Sequence, residues 1–408
     1  MQKLKTYYSQ LISLRIWSNK TFLFSLWTLL GIIAAITKLK PSRCNNFLIF
    51  DGVFRHASEQ LSLYAEYANE YSDVNHYGPF FSLIIAPFSL MPHWAGMICW
   101  CAGLAIFCWY AIHYSTLNWK QQVFVYLFCA HELLTALFMQ QFNVAIAAIL
   151  LLSFYFVEKG KDHWATLLML IGTFVKLYGI VGLAFFFFSH QKRKFILSFI
   201  GWSVVLLLLP MCFFGTDYIL GQYTEWFNCL VYKNGVNIDG DGLGIRESGT
   251  NISLLGIVRR ITLDTSYSDL CLIIPGLLLF ASPYLRFKQY KNLAFRQMFL
   301  ASVLMFVCLF STGTESSSYI IAMTGCVIWY ACVPWKRNGW DLALMWFLFI
   351  LTSLSPSDLF PAFIRKEWVQ PFALKALPVV IIWGKLSYEM LTQDYSTKFE
   401  LTNERNEQ

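Results

Sequence analysis

The chain has 408 residues, of which 57% are hydrophobic, 18% aromatic and 13% charged, against about 25% charged in an ordinary soluble domain. With a mean hydropathy of +0.51 it has too little polar surface to solvate a globule of this size, so a soluble fold is excluded. The net charge of +7 does not signal nucleic acid, because Lys and Arg gather at the ends of apolar runs, as in Gln191-Lys192-Arg193-Lys194 and Trp335-Lys336-Arg337, where they set orientation.

Taken in order, the apolar runs predict an all-α, polytopic membrane protein with about ten or eleven spans. The first covers 21–37 and follows Lys3, Lys5, Arg15 and Lys20, which reads as an uncleaved span with a cytoplasmic amino terminus. The polar segment 38–79 then lies outside. Within it, 46–69 has Phe47, Phe50, Phe54, Leu61 and Tyr64 spaced among polar residues, and 80–90 is an apolar run too short to cross, stopped by Pro92. Both are expected to be interfacial helices on the outer leaflet. Further spans follow at 93–114, 123–139, 142–157 and 195–214, and then at 270–285, 293–311, 319–333, 342–354 and 372–390. The eleven cysteines sit mostly inside these apolar segments and read as small core residues. One domain is expected over 1–391, with a disordered cytoplasmic tail over 392–408.

The stretch 164–188 breaks the pattern. It is apolar but interrupted by Lys176, and a single crossing there would turn every later basic loop to the wrong side. Two half-depth helices meeting near Lys176 keep the orientation, and broken helices of this kind are tolerated where they line a cavity.

Candidate chemistry falls at the outer end. Asp51, Asp73 and His76 belong to the ionisable group before Tyr77-Gly78-Pro79, where a carboxylate within reach would deprotonate an acceptor hydroxyl; ordinary solvated charge is the competing reading. Lys176, an ammonium in an apolar stretch, demands a partner, and a phosphate suits it; snorkelling or a buried carboxylate is the alternative. Gln140, Gln141 and Asn143 form a polar knot suited either to helix contacts or to a ligand. Glu315 occupies an outward turn and is a further acidic candidate. Residues 237–242 begin like a calcium loop, but Glu247 falls one position early, so a Gly-rich turn is expected, with no metal and no cofactor. Ser253 caps a short helix carrying Arg259 and Arg260, which are placed to meet lipid headgroups or a ligand phosphate.

Four stretches resemble the integral-membrane glycosyltransferases of family 87. They are Asn46-Phe47 through Tyr77-Gly78-Pro79 to Pro92, then Gln141-Phe142-Asn143, then Phe174-Val175-Lys176-Leu177-Tyr178 with Gly179 where Pro is usual, and Asn251-Ile252-Ser253-Leu254. The resemblance implies a GT-C fold and inverting transfer of a hexose, typically mannose. The donor would be a polyprenyl-phosphate sugar and the acceptor a glycolipid or glycan, with membrane lipids around the protein, no nucleic acid, and a multi-pass plasma-membrane location with the site facing outward. With such a donor, its phosphate is expected to be held by Lys176 with Arg259 and Arg260. The cavity would be lined by Asn46, His76, Tyr77, Gln141, Asn143 and Asn251. The family's acidic position falls on Asn46, an amide, so the base is assigned to Asp51, with Asp73 and Glu315 as alternatives. A secondary transporter or lipid-linked sugar flippase is the rival, since a broken helix with a midplane lysine suits it too.

Overall fold

The computed structural model describes residues 15–240 and 244–396, and every regular element among them is helical. The chain enters through α1 (Lys20–Thr37), capped by the Asn19 side chain, which accepts from the Phe22 amide at 3.0 Å. Next come α2 (Asn45–Ser58) and α3 (Phe81–Ser89), then α4 (His93–His113), the bent pair α5 (Trp119–Phe128) and α6 (Ala130–Phe138), α7 (Asn143–Glu158) and α8 (Asp162–Lys176). A 3₁₀ segment, Tyr178–Phe188, leads into α9 (Lys192–Phe214), α10 (Thr216–Asp239) and α11 (Leu254–Thr262). The second half comprises α12 (Leu270–Ala281), α13 (Leu293–Leu309), α14 (Tyr319–Ala331), α15 (Gly339–Phe347) continued as a π-helix over Leu348–Leu354, and α16 (Leu377–Thr392).

Hydrogen bonds between distant segments define two ends of the bundle. At the basic end Trp119 Nε1 donates to Ser18 O at 3.1 Å, Gln121 Nε2 to Ala331 O at 3.0 Å, Arg296 to Glu158 at 2.7 Å and Arg286 to Met390 O at 2.9 Å. At the other, loop-rich end Asn46 Nδ2 donates to Met139 O at 2.7 Å, Gln60 Nε2 to Phe214 O at 3.0 Å and the Ile252 amide to Thr314 O at 2.7 Å. Both ends of α2 and of α10 lie at the loop-rich end, so these two helices lie across it.

Lipid-facing character is visible on the periphery, where Leu197, Ile200, Val204, Leu208 and Phe213 of α9 are exposed, as are Leu270, Ile274 and Leu278 of α12. Three α-helices (α1, α4 and α9) are each long and apolar enough to cross a bilayer, and bent pairs, α5 with α6 at 49° and 362–369 with 374–392 at 91°, raise this to five; the other apolar helices have 10–17 residues. In the core α7, α13 and α14 are buried nearly throughout. Helices approach closely where side chains are small: a Cβ on Gly31 of α1 would stand 2.8 Å from Cys101 O of α4.

The expected half-depth hairpin is present. Fifteen residues of α8 rise about 22 Å at 1.5 Å each, and eleven residues of 3₁₀ helix return about 22 Å at 2.0 Å each, both short of a core of about 30 Å. Leu177 makes the reversal with φ +54°, and Ser189 Oγ then donates to Asp162 Oδ2 at 2.8 Å, so the hairpin ends at the basic end, where it began. Gly179 permits the tight return, because a Cβ there would collide with Met169 O and Thr173 N.

Three expectations are corrected. The helix foreseen over 46–69 stops at Ser58, because Gln60 takes φ +56° and turns the chain out of it. The 24-residue α10 was not foreseen in a polar outer segment, and it closes one side of the loop-rich end. Residues 393–396 are not disordered, since Tyr395 is buried against Phe295 and Trp335 and its amide donates to Gln289 Oε1 at 3.0 Å. Asp241, Gly242, Leu243 and the tail from Thr397 fall outside the described residues, while Asn237, Ile238 and Asp239 form the last turn of α10.

Candidate active site

The site assembles where the tip of the hairpin meets the loop-rich end. Gly78 N donates to Val175 O at 3.0 Å, and Gly78 leaves no room for a Cβ against Phe174 O, which brings Tyr77 onto the hairpin. Tyr77 is fixed on both sides: its ring stacks on Phe50 with centroids 5.0 Å apart, and its hydroxyl accepts from the Phe142 amide at 3.0 Å. Trp226 Nε1 of α10 donates to His76 O at 2.9 Å and closes the loop from outside. Gln140 turns the α6–α7 connection with φ +51°, aiming Gln141 and Asn143 at the same place.

Lys176 Nζ donates to Asn143 Oδ1 at 2.7 Å. Asn143 Nδ2 donates in turn to Gln141 Oε1 at 2.8 Å and to Ser317 Oγ at 3.0 Å, and Gln141 Nε2 donates to Glu315 Oε2 at 2.8 Å. The Glu315 turn is itself a capping box, with its amide bonded to Ser318 Oγ at 3.3 Å. The Lys176 ammonium also lies 5.1 Å from the ring centre of Tyr178 and 5.8 Å from that of Tyr77. Among the described residues no carboxylate oxygen lies within 4.0 Å of Lys176. A cation held by one amide oxygen and two aromatic faces, with no ion pair among the described residues and Glu315 linked to it through Gln141 and Asn143, is arranged to receive an anion.

The chain from Asn251 to Ser253 joins this cluster from a further side. Asn251 takes φ +52°, Ser253 Oγ donates to Asn251 Oδ1 at 2.7 Å and caps α11 through the Gly256 amide at 3.1 Å. Ile252 bonds Thr314 at 2.7 Å on one side and accepts from Tyr319 OH at 2.8 Å on the other, which ties the Asn251 loop to the Glu315 turn.

Of the residues singled out by sequence, Tyr77, Gln141, Asn143, Lys176, Asn251 and Glu315 are therefore brought together, and Asn46 touches the cluster's edge through Met139 O. Others stand apart. Asp51 faces the α3–α4 side, where the Ser89 hydroxyl donates to its backbone carbonyl at 3.3 Å; burial pushes its carboxyl above the ordinary value, against the charges of His93 and Arg55. Asp73 is exposed and lies 3.6 Å from His76 and 3.7 Å from Lys233. Partial burial acts to raise its pKa but is outweighed by those partners and by the Val74 amide, leaving it at about 2. Arg259 is buried in an ion pair with Asp269 at 2.7 Å and over the Tyr267 ring. Arg260 is likewise buried, donating to the carbonyls of Ile245, Ser248 and Thr250 at 2.8 to 2.9 Å, where it holds the loop before α11 together.

The sequence reading missed a buried lysine. Lys375 Nζ pairs with Glu132 Oε1 at 2.7 Å and donates to Ser316 O and Oγ at 3.0 and 2.9 Å, directly beneath the Glu315 turn. The rule that singles out Lys176, a cation inside an apolar run, applies to Lys375 as well.

This arrangement offers an anion-receiving ammonium and a carboxylate joined by two amides, the components needed to stabilise a leaving group and accept a proton. The family model for glycosyltransferase family 87 matches residues 75–312, a stretch that includes Tyr77, Gln141, Asn143, Lys176 and Asn251 and more than half of the chain. Comparison with the curated proteins and with the solved structures finds no match. Because this match covers more than half of an all-helical chain that has apolar, membrane-spanning helices, the chain belongs to glycosyltransferase family 87.

Proposed function

We propose that the protein transfers a hexose, mannose by family resemblance, from a polyprenyl-phosphate donor to a glycolipid or glycan acceptor at the outer face of the plasma membrane, with inversion. Lys176 offsets the charge of the donor phosphate as leaving group. The bond between the anomeric carbon and the phosphate oxygen breaks, the acceptor oxygen attacks from the opposite face, and its proton passes to a carboxylate. The observation that carries this reading is the partnering of Lys176 by Asn143 and two aromatic rings, a setting in which an ammonium gains most from an incoming phosphate.

Glu315 is the carboxylate best placed to act as base, since Gln141 and Asn143 link it to Lys176. Asp73 is held at about 2 and is a weak base near neutral pH. Asp51 has the higher basicity but points toward Ser89 and His93. The test uses purified protein in nanodiscs with a radiolabelled polyprenyl-phosphate hexose. Glu315→Gln is expected to lower turnover by about 10²-fold or more, with Asp51→Asn close to wild type. Full activity in Glu315→Gln, with loss in Asp51→Asn, reverses the assignment; solute uptake without sugar transfer removes the enzymatic reading.

A further inference from the structure

A cavity of about 800 Å³ opens beside the Glu315 turn, bounded by α6, the loop before α11 and the segment 355–375. Five cationic side chains line it, Lys38, Arg246, Arg365, Lys366 and Lys375, against two carboxylates, Glu247 and Asp358. Two of the cations are spoken for: Lys375 by Glu132 at 2.7 Å and Arg365 by Asp358 at 3.2 Å. Lys38, Arg246 and Lys366 are in no ion pair among the described residues, and Glu247 is the one further carboxylate of the lining, so the cavity carries a surplus of positive charge.

Arg246 is the best-formed of these. Its Nε donates to Arg260 O at 3.0 Å and its plane lies 4.8 Å over the Phe372 ring, which fixes the guanidinium while leaving its two terminal nitrogens without an acceptor among the described residues. A guanidinium held by its inner nitrogen and one face presents a planar fork matched to a phosphate or carboxylate. The lining also has an apolar portion, with Leu134, Phe138 and Met139, so an amphiphilic molecule fits better than a free ion. Ser316, which follows Glu315, forms part of the lining and is bonded to Lys375, so a molecule seated here lies next to the turn that carries Glu315.

We infer that this cavity is the acceptor subsite and that the acceptor carries a negative group, a phosphate or carboxylate, which Arg246 grips with help from Lys38 and Lys366. The inference rests on the proposed transfer reaction for its biological meaning, but the binding it requires is measurable without turnover. Full-length protein is placed in nanodiscs of neutral phosphatidylcholine, and binding is measured for an alkyl glucoside, for the same glucoside carrying a 6-phosphate, and for a polyprenyl-phosphate hexose. The phosphorylated glucoside is expected to bind at least about tenfold more tightly than the neutral one. Arg246→Gln and Lys366→Gln together should erase that preference, with the polyprenyl-phosphate hexose still bound normally. Lys176→Ala should do the reverse.

Equal binding of the two glucosides overturns the inference. So does loss of polyprenyl-phosphate hexose binding in the Arg246 and Lys366 variant, which would make the cavity the donor site. Displacement of the phosphorylated glucoside by a few mole per cent of phosphatidylglycerol would assign the cavity to a bulk lipid headgroup and likewise overturn it. If the preference holds but no sugar is transferred in a turnover assay, the transfer reaction fails while the anionic subsite stands.

Discussion

Lys176 and Lys375 occupy the same end of the bundle, and both sit in apolar segments, yet their surroundings differ in kind. Lys375 is 3% exposed and its charge is answered inside the protein by Glu132, itself fully buried, with Ser316 completing its donors. Lys176 is answered by an amide oxygen and two aromatic faces. The first lysine is a closed ion pair that fastens α6 to the start of α16. The second keeps its charge available, at the cost of a weaker internal partner.

The sharpest way to break this contrast is to remove Lys375. Lys375→Met leaves the Glu132 carboxylate buried without a partner and is expected to destabilise the fold by about 3–5 kcal/mol, read as a fall in the thermal midpoint in mild detergent. Adding Glu132→Leu should restore most of it, and failure to do so would show that Lys375 does more than pair. Lys176→Ala is expected to leave the thermal midpoint nearly unchanged while lowering turnover by about 10²–10³-fold. A large loss of stability instead would place Lys176 in the same structural class as Lys375.

Asn143→Asp converts one situation into the other by giving Lys176 a carboxylate at the position of its present amide partner. Turnover is expected to fall by about tenfold or more, chiefly through a raised KM for the donor, with the fold intact. Unchanged donor affinity would argue that the ammonium does not meet the phosphate. The smallest effect concerns Asp73, whose carboxyl is held at about 2 by His76, Val74 and Lys233 against partial burial. A depressed acid contributes stability above its unfolded value of about 3.9 and loses it as pH falls toward about 2. Because the group is half exposed the effect should stay below about 1 kcal/mol. The gap in thermal midpoint between wild type and Asp73→Asn should accordingly be small at pH 6, shrink below about pH 4 and vanish only as pH falls through about 2.

Much of the architecture is legible in the sequence because hydropathy and basic turns are local signals. The conflict of orientation at 164–188 is enough to infer a hairpin, and the intramembrane charge is enough to single out Lys176. Partnerships made across the chain are not local: Glu132 and Lys375 lie 243 positions apart, and only folding brings them to 2.7 Å. The assignment of Asp51 shows a different gap. Five residues beyond Asn46 on a helix is about 500°, or about 140° around the axis, so the carboxylate cannot share the face on which Asn46 meets Met139. α10 escaped notice because its residues are polar overall and it lies across the end of the bundle, without the apolar length that marks a crossing.

The hairpin of α8 and the 3₁₀ segment bears on how the chain enters the bilayer during synthesis. Neither arm reaches across, and the tip carries an ammonium, so the pair has little reason to partition from the translocon unaided. Its favourable burial comes from neighbours on both sides in the chain, with Gly172 and Gly179 lying against each other and close to Ile146 and Ile149 of α7, and Phe188 lying on Phe299 of α13. Since α13 is made more than a hundred residues later, the hairpin must wait, unfinished, until that helix arrives. Reporters fused just before Asp162 and just after Ser189 should read the same compartment, and ribosome-release truncations ending before α13 should leave the segment open to labelling.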